Sequence, residues 1–135
     1  MQCHSRLRRE FQKITWIAVK SGLMTEDFYC DEVLSGRTLV RIVRETDNVL
    51  AYHHTRPFWP VHIVVIPKRH IASLLTMEDD ALLLELLRVV REVANEVLAA
   101  HGACRVLTNL GRYQDSKHLH WHVSSGEPQR QRRDI

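Results

Sequence analysis

The chain has 135 residues, of which 44% are hydrophobic and 26% are charged, and its formal net charge is +3. This length and composition are typical of a single globular domain. No apolar run approaches the roughly 18 residues of a membrane span, and the arginines near the start are not followed by a secretory apolar block. The sequence therefore predicts a cytoplasmic protein without a membrane partner.

Basic residues are concentrated at the two ends of the chain. The basic positions at the start and in a polar tail that begins near Gly126 are Arg6, Arg8, Arg9, Lys13, Lys20, Arg130, Arg132 and Arg133. No nucleic-acid-binding motif with interleaved aromatic residues accompanies them, so solvated termini explain them better than a nucleic-acid surface. Nucleic acid is not an expected partner.

Two helices are predicted at the start of the chain. The first is an amphipathic helix over residues 5–19, which ends at Gly22. Its apolar positions recur at helical spacing and are Leu7, Phe11, Ile14 and Ala18. The second is short, with Thr25 as its N-cap and Gly36 at its C-terminal end.

Three strands are predicted next, over residues 37–44, 49–54 and 61–66. These segments are rich in β-branched residues and are separated by a polar turn and by a loop that contains Pro57 and Pro60. The connections are too short for parallel crossovers, so the strands are expected to be antiparallel.

A long helix is predicted over residues 77–101. Thr76 and Asp79 have the spacing of a capping-box variant, and Gly102 is a natural residue to follow the last turn. The apolar stripe consists of Leu82, Leu86, Val89, Val90, Val93, Val97 and Leu98. This helix is therefore expected to cover the sheet.

Two further strands, residues 104–110 and 118–123, complete the predicted fold, with a polar turn over residues 111–117. Five antiparallel strands with helices against one face make an α+β domain.

The most informative segment is His118-Leu119-His120-Trp121-His122-Val123, in which histidines alternate with apolar residues. In an extended strand, successive side chains point to opposite faces, so the three imidazoles are expected to share one face. A row of imidazoles favours metal ligation or catalysis. The alternative interpretation is an exposed histidine-rich strand that has no function.

Geometry helps to separate metal ligation from catalysis. His118 and His122 would be about 13 Å apart at Cα in a strand, whereas two nitrogens on one zinc ion are at most about 4 Å apart. One ion could take two of the three histidines but hardly all three. A phosphate-bearing substrate lying along the strand could use all of them, because imidazole is both a nucleophile and a proton donor near neutral pH.

This segment resembles the signature of the histidine triad (HIT) superfamily of nucleotidyl hydrolases and transferases, His-φ-His-φ-His-φ-φ with φ apolar, although Ser124 occupies the last position. Residues 49–54 and 61–70 resemble the strands that form the nucleotide pocket of the Hint-like branch. The resemblance implies a HIT domain over residues 25–125, with an N-terminal helical extension over residues 1–24 and a basic polar tail over residues 126–135. The implied fold is a five-stranded antiparallel sheet with a long and a short helix.

The resemblance also implies catalytic roles. His120 matches the nucleophile, whose neutral imidazole attacks the α-phosphorus and forms a nucleotidyl-imidazole that water then opens. His122 is the candidate for contact with the phosphate oxygens, and His118 is expected to position the strand. His62 matches the fourth pocket histidine, although the sequence alone also fits a partly exposed strand histidine.

The family's nucleotide-binding residues match this chain less completely than its catalytic histidines do. Asn109 matches an Asn near the phosphates, and Tyr52 matches the aromatic residue of the pocket strand. His54 stands where the Hint-like branch has the Asp that holds the ribose hydroxyls. Asp115 stands where a Ser or Thr often contacts the leaving group, with Ser116 next to it; an acid there would repel a phosphate leaving group and suit an amine.

The predicted function is hydrolysis of nucleoside 5′-phosphoramidates or related nucleoside phosphoryl conjugates, with a purine nucleotide or its conjugate as partner and no cofactor. Dinucleotide polyphosphate hydrolysis or nucleotidyl transfer is an alternative, and so is a non-catalytic module that binds a nucleotide or a metal.

No metal site and no disulfide framework are predicted, because the cysteines are odd in number and widely spaced. Some HIT proteins have a zinc-binding Cys-x-x-Cys pair, but here Asp27 precedes Cys30 in that spacing. The resemblance implies a homodimer through the long helix, on which Leu83, Leu84 and Leu87 widen the apolar surface.

Overall fold

The computed structural model describes residues 27–129. The predicted helix over residues 5–19, the Thr25 cap and all eight of the basic residues named at the two ends lie outside this range. The elements are the short helix α1 (Tyr29–Leu34), β1 (Ile42–Glu45), β2 (Val49–His53), β3 (Val61–Pro67), the long helix α2 (Asp80–His101), β4 (Arg105–Thr108) and β5 (Trp121–Ser125). No helix within residues 27–129 is long and apolar enough to cross a membrane.

The five strands form one antiparallel sheet in the order β1-β2-β3-β5-β4. This confirms the predicted sheet and its antiparallel pairing. β3 and β5 are neighbours at its centre, where His62 is opposite Ser124 and Val64 is opposite His122. Residues that are 60 positions apart in sequence therefore share one side of the sheet.

The two helices pack against opposite faces of the sheet, so the prediction that both cover one face is wrong. The α2 side buries Val49, Ala51, Ile63, Val65, Leu119 and Val123 against the helix. The α1 side buries Leu50, Tyr52, Val64 and Ile66 against Tyr29, Val33 and Leu34. Because both faces are covered, β2 and β3 are apolar at nearly every position, and their sequences do not alternate enough to show which face meets which helix.

Several predicted boundaries differ from the structure. β1 begins at Ile42 rather than at residue 37, because Thr38 N–H donates to Glu32 of α1 and keeps this segment beside the helix. α2 begins at Asp80 rather than at residue 77, because the Asp79 carboxylate accepts from Leu82 N–H and acts as the N-cap. Gly102 ends α2 in the left-handed conformation, as predicted.

One residue of the predicted α2 stripe is not in the core. Leu98 is 51% exposed, whereas the other six stripe residues are buried. At 100° per residue, Leu98 lies about 130° around the helix from the middle of the buried face, which places it near exposed Leu84 and Leu87 instead.

Candidate active site

The three histidines of the alternating segment are buried on the α1 side of the sheet. β5 begins only at Trp121, so His118 and His120 precede the strand and only His122 lies in it. The alternation persists because Leu119 N–H donates to Ile71 O and draws the intervening residue to the α2 side. The exposed fractions of His118, His120 and His122 are 0%, 5% and 3%, so an exposed histidine strand is excluded.

His120 is held in one tautomer by the main chain. Its Nδ1 lies 2.7 Å from the carbonyl oxygen of His118, and because a carbonyl can only accept, Nδ1 carries the proton. In the neutral ring, Nε2 therefore has the free lone pair. Thr108 fixes the same residue from the neighbouring strand, since its hydroxyl donates to His120 O at 2.7 Å.

Burial determines the charge of His120. Loss of hydration lowers the pKa of this imidazole to about 4, although its hydrogen bond to His118 opposes the shift. Tyr29 closes the site from α1, with its ring centroid 4.8 Å from that of His120. At neutral pH the site therefore contains an uncharged imidazole with a lone pair on Nε2.

His62 and His122 form a hydrogen-bonded pair with a defined direction. Phe58 N–H donates to His62 Nδ1 at 2.9 Å, so the proton of neutral His62 is on Nε2. His62 Nε2 lies 2.7 Å from His122 Nδ1 and donates to it. The proton of neutral His122 is consequently on Nε2. This pair can supply a directed N–H donor beside His120, whose ring centroid is 5.0 Å away.

His54 extends this group of imidazoles. It stacks on His62 with a centroid separation of 4.3 Å, and its Nδ1 accepts from Arg56 N–H. Nitrogen atoms of His54, His62 and His122 lie within 4.8 Å of one another. Metal ligation by His62 Nε2 would require a proton on Nδ1, where Phe58 N–H already donates, so the hydrogen bonds favour a chain of proton donors over a metal site here.

The predicted loop residues have different environments. Tyr52 is 1% exposed in the core beneath α1, and its ring contacts Tyr29 at 6.4 Å. Asn109 is half-buried, Asp115 is exposed and Ser116 is buried in the segment that leads to the histidines. Burial raises the pKa of Tyr29, and the Asp115 and Asp27 carboxylates raise it further, which places Asp115 within electrostatic reach of the site.

The aromatic loop residues cover the imidazoles. Phe58 and Trp59 are each 7% exposed, and Trp59 packs edge-on against His62 at 4.9 Å. Arg105 lies over the Trp59 ring at 5.5 Å. These rings shield the His62–His122 pair from water on this side.

A second cluster surrounds His118. Its Nδ1 faces Asp27, Cys30 and His70, and ligand atoms of these four residues all lie within 4.8 Å of one another. Spacing along the chain did not reveal this cluster, because its members come from the α1 start, the segment after β3 and the segment before β5. Cys30 is disulfide-bonded, and this bond was not predicted from the sequence.

Sequence reasoning assigned no role to Tyr29, Thr108 or His70. Tyr29 lies within the predicted short helix but was not singled out, and Thr108 lies within the predicted strand over residues 104–110. His70 lies in the segment that resembles the pocket strand, which is the one signal that could have drawn attention to it.

Comparison with known proteins gives a consistent result. A sequence model of the HIT domain matches residues 38–129. An uncharacterized HIT-like protein of Synechococcus elongatus is 38% identical over 107 residues, which are 76% of this chain and 93% of that protein.

Two solved structures share the fold. A hypothetical histidine triad nucleotide-binding protein of Sulfolobus tokodaii aligns with a TM-score of 0.65 and 30% identity, over 70% of this chain and 66% of the other. A HIT family hydrolase of Legionella pneumophila aligns with a TM-score of 0.62 and 29% identity, over 71% of this chain and 89% of the other.

Proposed function

The chain belongs to the histidine triad (HIT) family, and we propose that it hydrolyses nucleoside 5′-phosphoramidates or related nucleoside phosphoryl conjugates through a covalent nucleotidyl intermediate on His120. The observation that carries this proposal is the hydrogen bond from His120 Nδ1 to His118 O, which leaves the Nε2 lone pair available in a neutral ring. The names of the Sulfolobus nucleotide-binding protein and the Legionella hydrolase support the reaction class.

The first step is attack of His120 Nε2 on the α-phosphorus. The N–P bond forms as the bond to the leaving group breaks, and the leaving amine takes up a proton from solvent, which regains one from the water that is consumed in the second step. We assign His122 Nε2–H as the hydrogen-bond donor to the equatorial phosphate oxygens. His62 donates to His122 Nδ1, so the proton of neutral His122 is on Nε2. Donors that are already oriented stabilise the transition-state charge without reorganisation.

In the second step water attacks the same phosphorus and releases His120. The nucleotidyl-imidazole is reactive because its leaving group is an imidazole that regains its neutral form. Splitting the displacement into two steps replaces one difficult reaction with two easier ones.

The leaving group is proposed to be an amine. The acidic Asp115 side chain is close enough to contribute to the raised pKa of Tyr29, after burial, which is the larger cause. A carboxylate in this place disfavours a polyphosphate leaving group and favours an amine that becomes protonated as it departs. The nucleotide is proposed to be a purine nucleotide, held near Tyr52, His54, Asn109 and Ser116.

A panel of AMP and GMP conjugates tests the proposal, with amine, phosphate and nucleotide leaving groups. We expect the amine conjugates to turn over fastest, with and without chelator, and His120→Asn to abolish turnover. His101→Asn is the matched control, because His101 is exposed at the end of α2, and it should keep full activity.

Two results would contradict the proposal. Preferential cleavage of dinucleotide polyphosphates would reassign the leaving group. Nucleotide binding without turnover of any conjugate would identify a non-catalytic binding module.

A further inference from the structure

The segment that follows β5 lies against the loop that precedes β3. Ser125, the last residue of β5, is opposite Val61, the first residue of β3. Residues 126–129 therefore leave the sheet beside the loop over residues 55–60. We call residues 126–129 the C-terminal strap.

Close contacts hold the C-terminal strap in place. Gln129 N–H donates to Phe58 O at 2.7 Å. Gly126 has a left-handed φ of 91°, and a Cβ on this residue would lie 2.7 Å from the Pro60 ring, so a larger residue cannot fit unless that proline moves. Arg105 of β4 donates to Gly126 O at 2.6 Å, which also ties the strap to the sheet.

The loop that the strap contacts covers the His62–His122 pair. Phe58 and Trp59 are each 7% exposed, although the rest of residues 55–60 are exposed. Trp59 packs edge-on against His62 at 4.9 Å, and Arg105 lies over the Trp59 ring at 5.5 Å. One arginine therefore contacts both the strap and the ring that shields His62.

Phe58 links the strap to the imidazoles through its main chain. Its carbonyl oxygen accepts from Gln129 N–H, and its own N–H donates to His62 Nδ1 at 2.9 Å. The bond to His62 keeps the proton of the neutral ring on Nε2, which donates to His122 Nδ1 at 2.7 Å. The position of the Phe58 main chain thus determines which nitrogen of each ring is the donor.

The direction of the pair depends on this one N–H. Either nitrogen of a neutral imidazole can carry the proton, so without the Phe58 N–H the pair could reverse, with His122 Nδ1 donating to His62 Nε2. His122 Nε2 would then present a lone pair to the phosphate oxygens, and a lone pair facing a negatively charged oxygen is repelled.

We propose that the C-terminal strap is a positioning element: by holding the main chain of Phe58, Gly126 and Gln129 keep the His62–His122 pair in the tautomers that direct His122 Nε2–H at the substrate. The strap acts through Phe58 and is not itself a catalytic group. The use of the His122 donor rests on the proposed function, whereas the tautomers can be observed without a substrate.

Nuclear magnetic resonance of the full chain with ¹⁵N-labelled histidine tests the proposal. The shifts of the ring nitrogens distinguish a protonated nitrogen from one with a lone pair. In the unaltered chain we expect neutral His62 and His122 to be protonated on Nε2, and His120 to be protonated on Nδ1.

Gln129→Pro removes the N–H that donates to Phe58 O without changing the charge of the chain. Gln129 is exposed near the end of the chain, so this variant is expected to fold. We expect mixed tautomers on His62 and His122. Gln129→Ala is the matched control, because it keeps the main-chain N–H and should give the spectrum of the unaltered chain.

Two further comparisons make the test specific. Gly126→Ala should also give mixed tautomers, because its methyl group would displace Pro60 and the loop with it. His120 should stay protonated on Nδ1 in both variants, since His118 O holds that proton independently of the loop.

Turnover gives a second readout. If His122 Nε2–H stabilises the transition state, Gln129→Pro should lower kcat on the order of tenfold with little change in KM, as expected for the loss of one oriented hydrogen bond to a charged group. Gln129→Ala should leave both constants unchanged.

The positioning role is overturned if folded Gln129→Pro and Gly126→Ala keep the His62 and His122 tautomers of the unaltered chain. It is also overturned if Gln129→Ala disturbs them as much as Gln129→Pro does, or if His120 changes with them, because either result indicates general loosening. Absence of turnover in the unaltered chain would contradict the proposed hydrolysis, and the tautomers would still decide the positioning role.

Discussion

At the scale of single residues, His120 is distinguished by its burial rather than by its charge. An exposed histidine is about half protonated near pH 6.5, whereas burial lowers the pKa of His120 to about 4. The lone pair on Nε2 is consequently available over the whole neutral range. This removes the competition between protonation and nucleophilic attack.

The lowered pKa predicts the acid limb of the activity profile. The neutral form is the active one, so kcat/KM should stay high as the pH falls through 6 and should decline only near pH 4. An NMR titration of the His120 ring protons should give a midpoint in the same region. A midpoint near 6.5, or a rate that halves near pH 6.5, would contradict the assignment.

His54 is the residue on which substrate preference is expected to depend. If it occupies the position that holds ribose, His54→Asp should tighten nucleoside monophosphate binding by on the order of 1 kcal/mol, because a carboxylate can accept from both ribose hydroxyls. Calorimetric titration measures this change, and His54→Asn is the matched control with a smaller expected gain. Unchanged or weaker affinity for His54→Asp would show that this position does not contact ribose.

At the scale of elements, the two ends of α2 show how well sequence patterns locate a helix boundary. Gly102 was predicted to end this helix, and it does so with φ of 76° and an open space where a Cβ would lie. The start was predicted three residues too early, because Thr76 and Asp79 are both plausible caps and only the structure shows that Asp79 accepts from Leu82 N–H.

Gly102→Ala isolates the backbone requirement at this end. Since the new methyl group meets no neighbour, the cost comes only from the left-handed conformation, and we expect a loss of about 1 kcal/mol in the free energy of unfolding. Chemical denaturation measures it. Gly102→Asn should lose less, because Asn tolerates this conformation better, and equal stability of all three proteins would refute the explanation.

Contacts between elements account for what the sequence could not predict in the site. The alternating segment identified His118, His120 and His122 from local spacing alone. Tyr29 reaches His120 from 91 residues earlier in the chain, and Thr108 reaches its carbonyl from the neighbouring strand. Neither contact leaves a local pattern, because the Tyr29 contact depends on which face of the sheet α1 covers and the Thr108 contact depends on the pairing of β4 with β5.

At the scale of the whole molecule, the surface of α2 that faces away from the sheet has three exposed leucines among its charged residues. Leu84, Leu87 and Leu98 are 53%, 39% and 51% exposed and lie on one side of the helix. Such a surface on a small protein indicates an interface, and a closed two-fold pair is the commonest way to bury it. We therefore expect a homodimer through α2.

Light scattering tests the dimer at tens of micromolar protein. The unaltered chain should give the dimer mass, and the double variant Leu84→Glu with Leu87→Glu should give the monomer mass. Leu39→Glu is the matched control: Leu39 is 85% exposed before β1 and should leave the dimer intact. A monomeric unaltered chain, or a double variant that remains dimeric, would rule out this interface.

The overall architecture was predictable because it depends on repeated local signals, whereas the positions of the helices were not. The number of strands and their antiparallel pairing follow from short connections and β-branched runs. α1 and α2 lie on opposite faces because β2 and β3 are buried on both faces. A continuous apolar run does not show which face of a strand meets which helix.

The central claim is that His120 forms a covalent bond to phosphorus, and the stereochemical course of hydrolysis tests it most directly. The measurement uses a nucleoside phosphoramidate that the protein cleaves, made chiral at phosphorus with oxygen isotopes, in isotopically labelled water. Two successive in-line displacements predict overall retention of configuration. Overall inversion would mean that water attacks directly and would contradict a nucleotidyl-His120 intermediate.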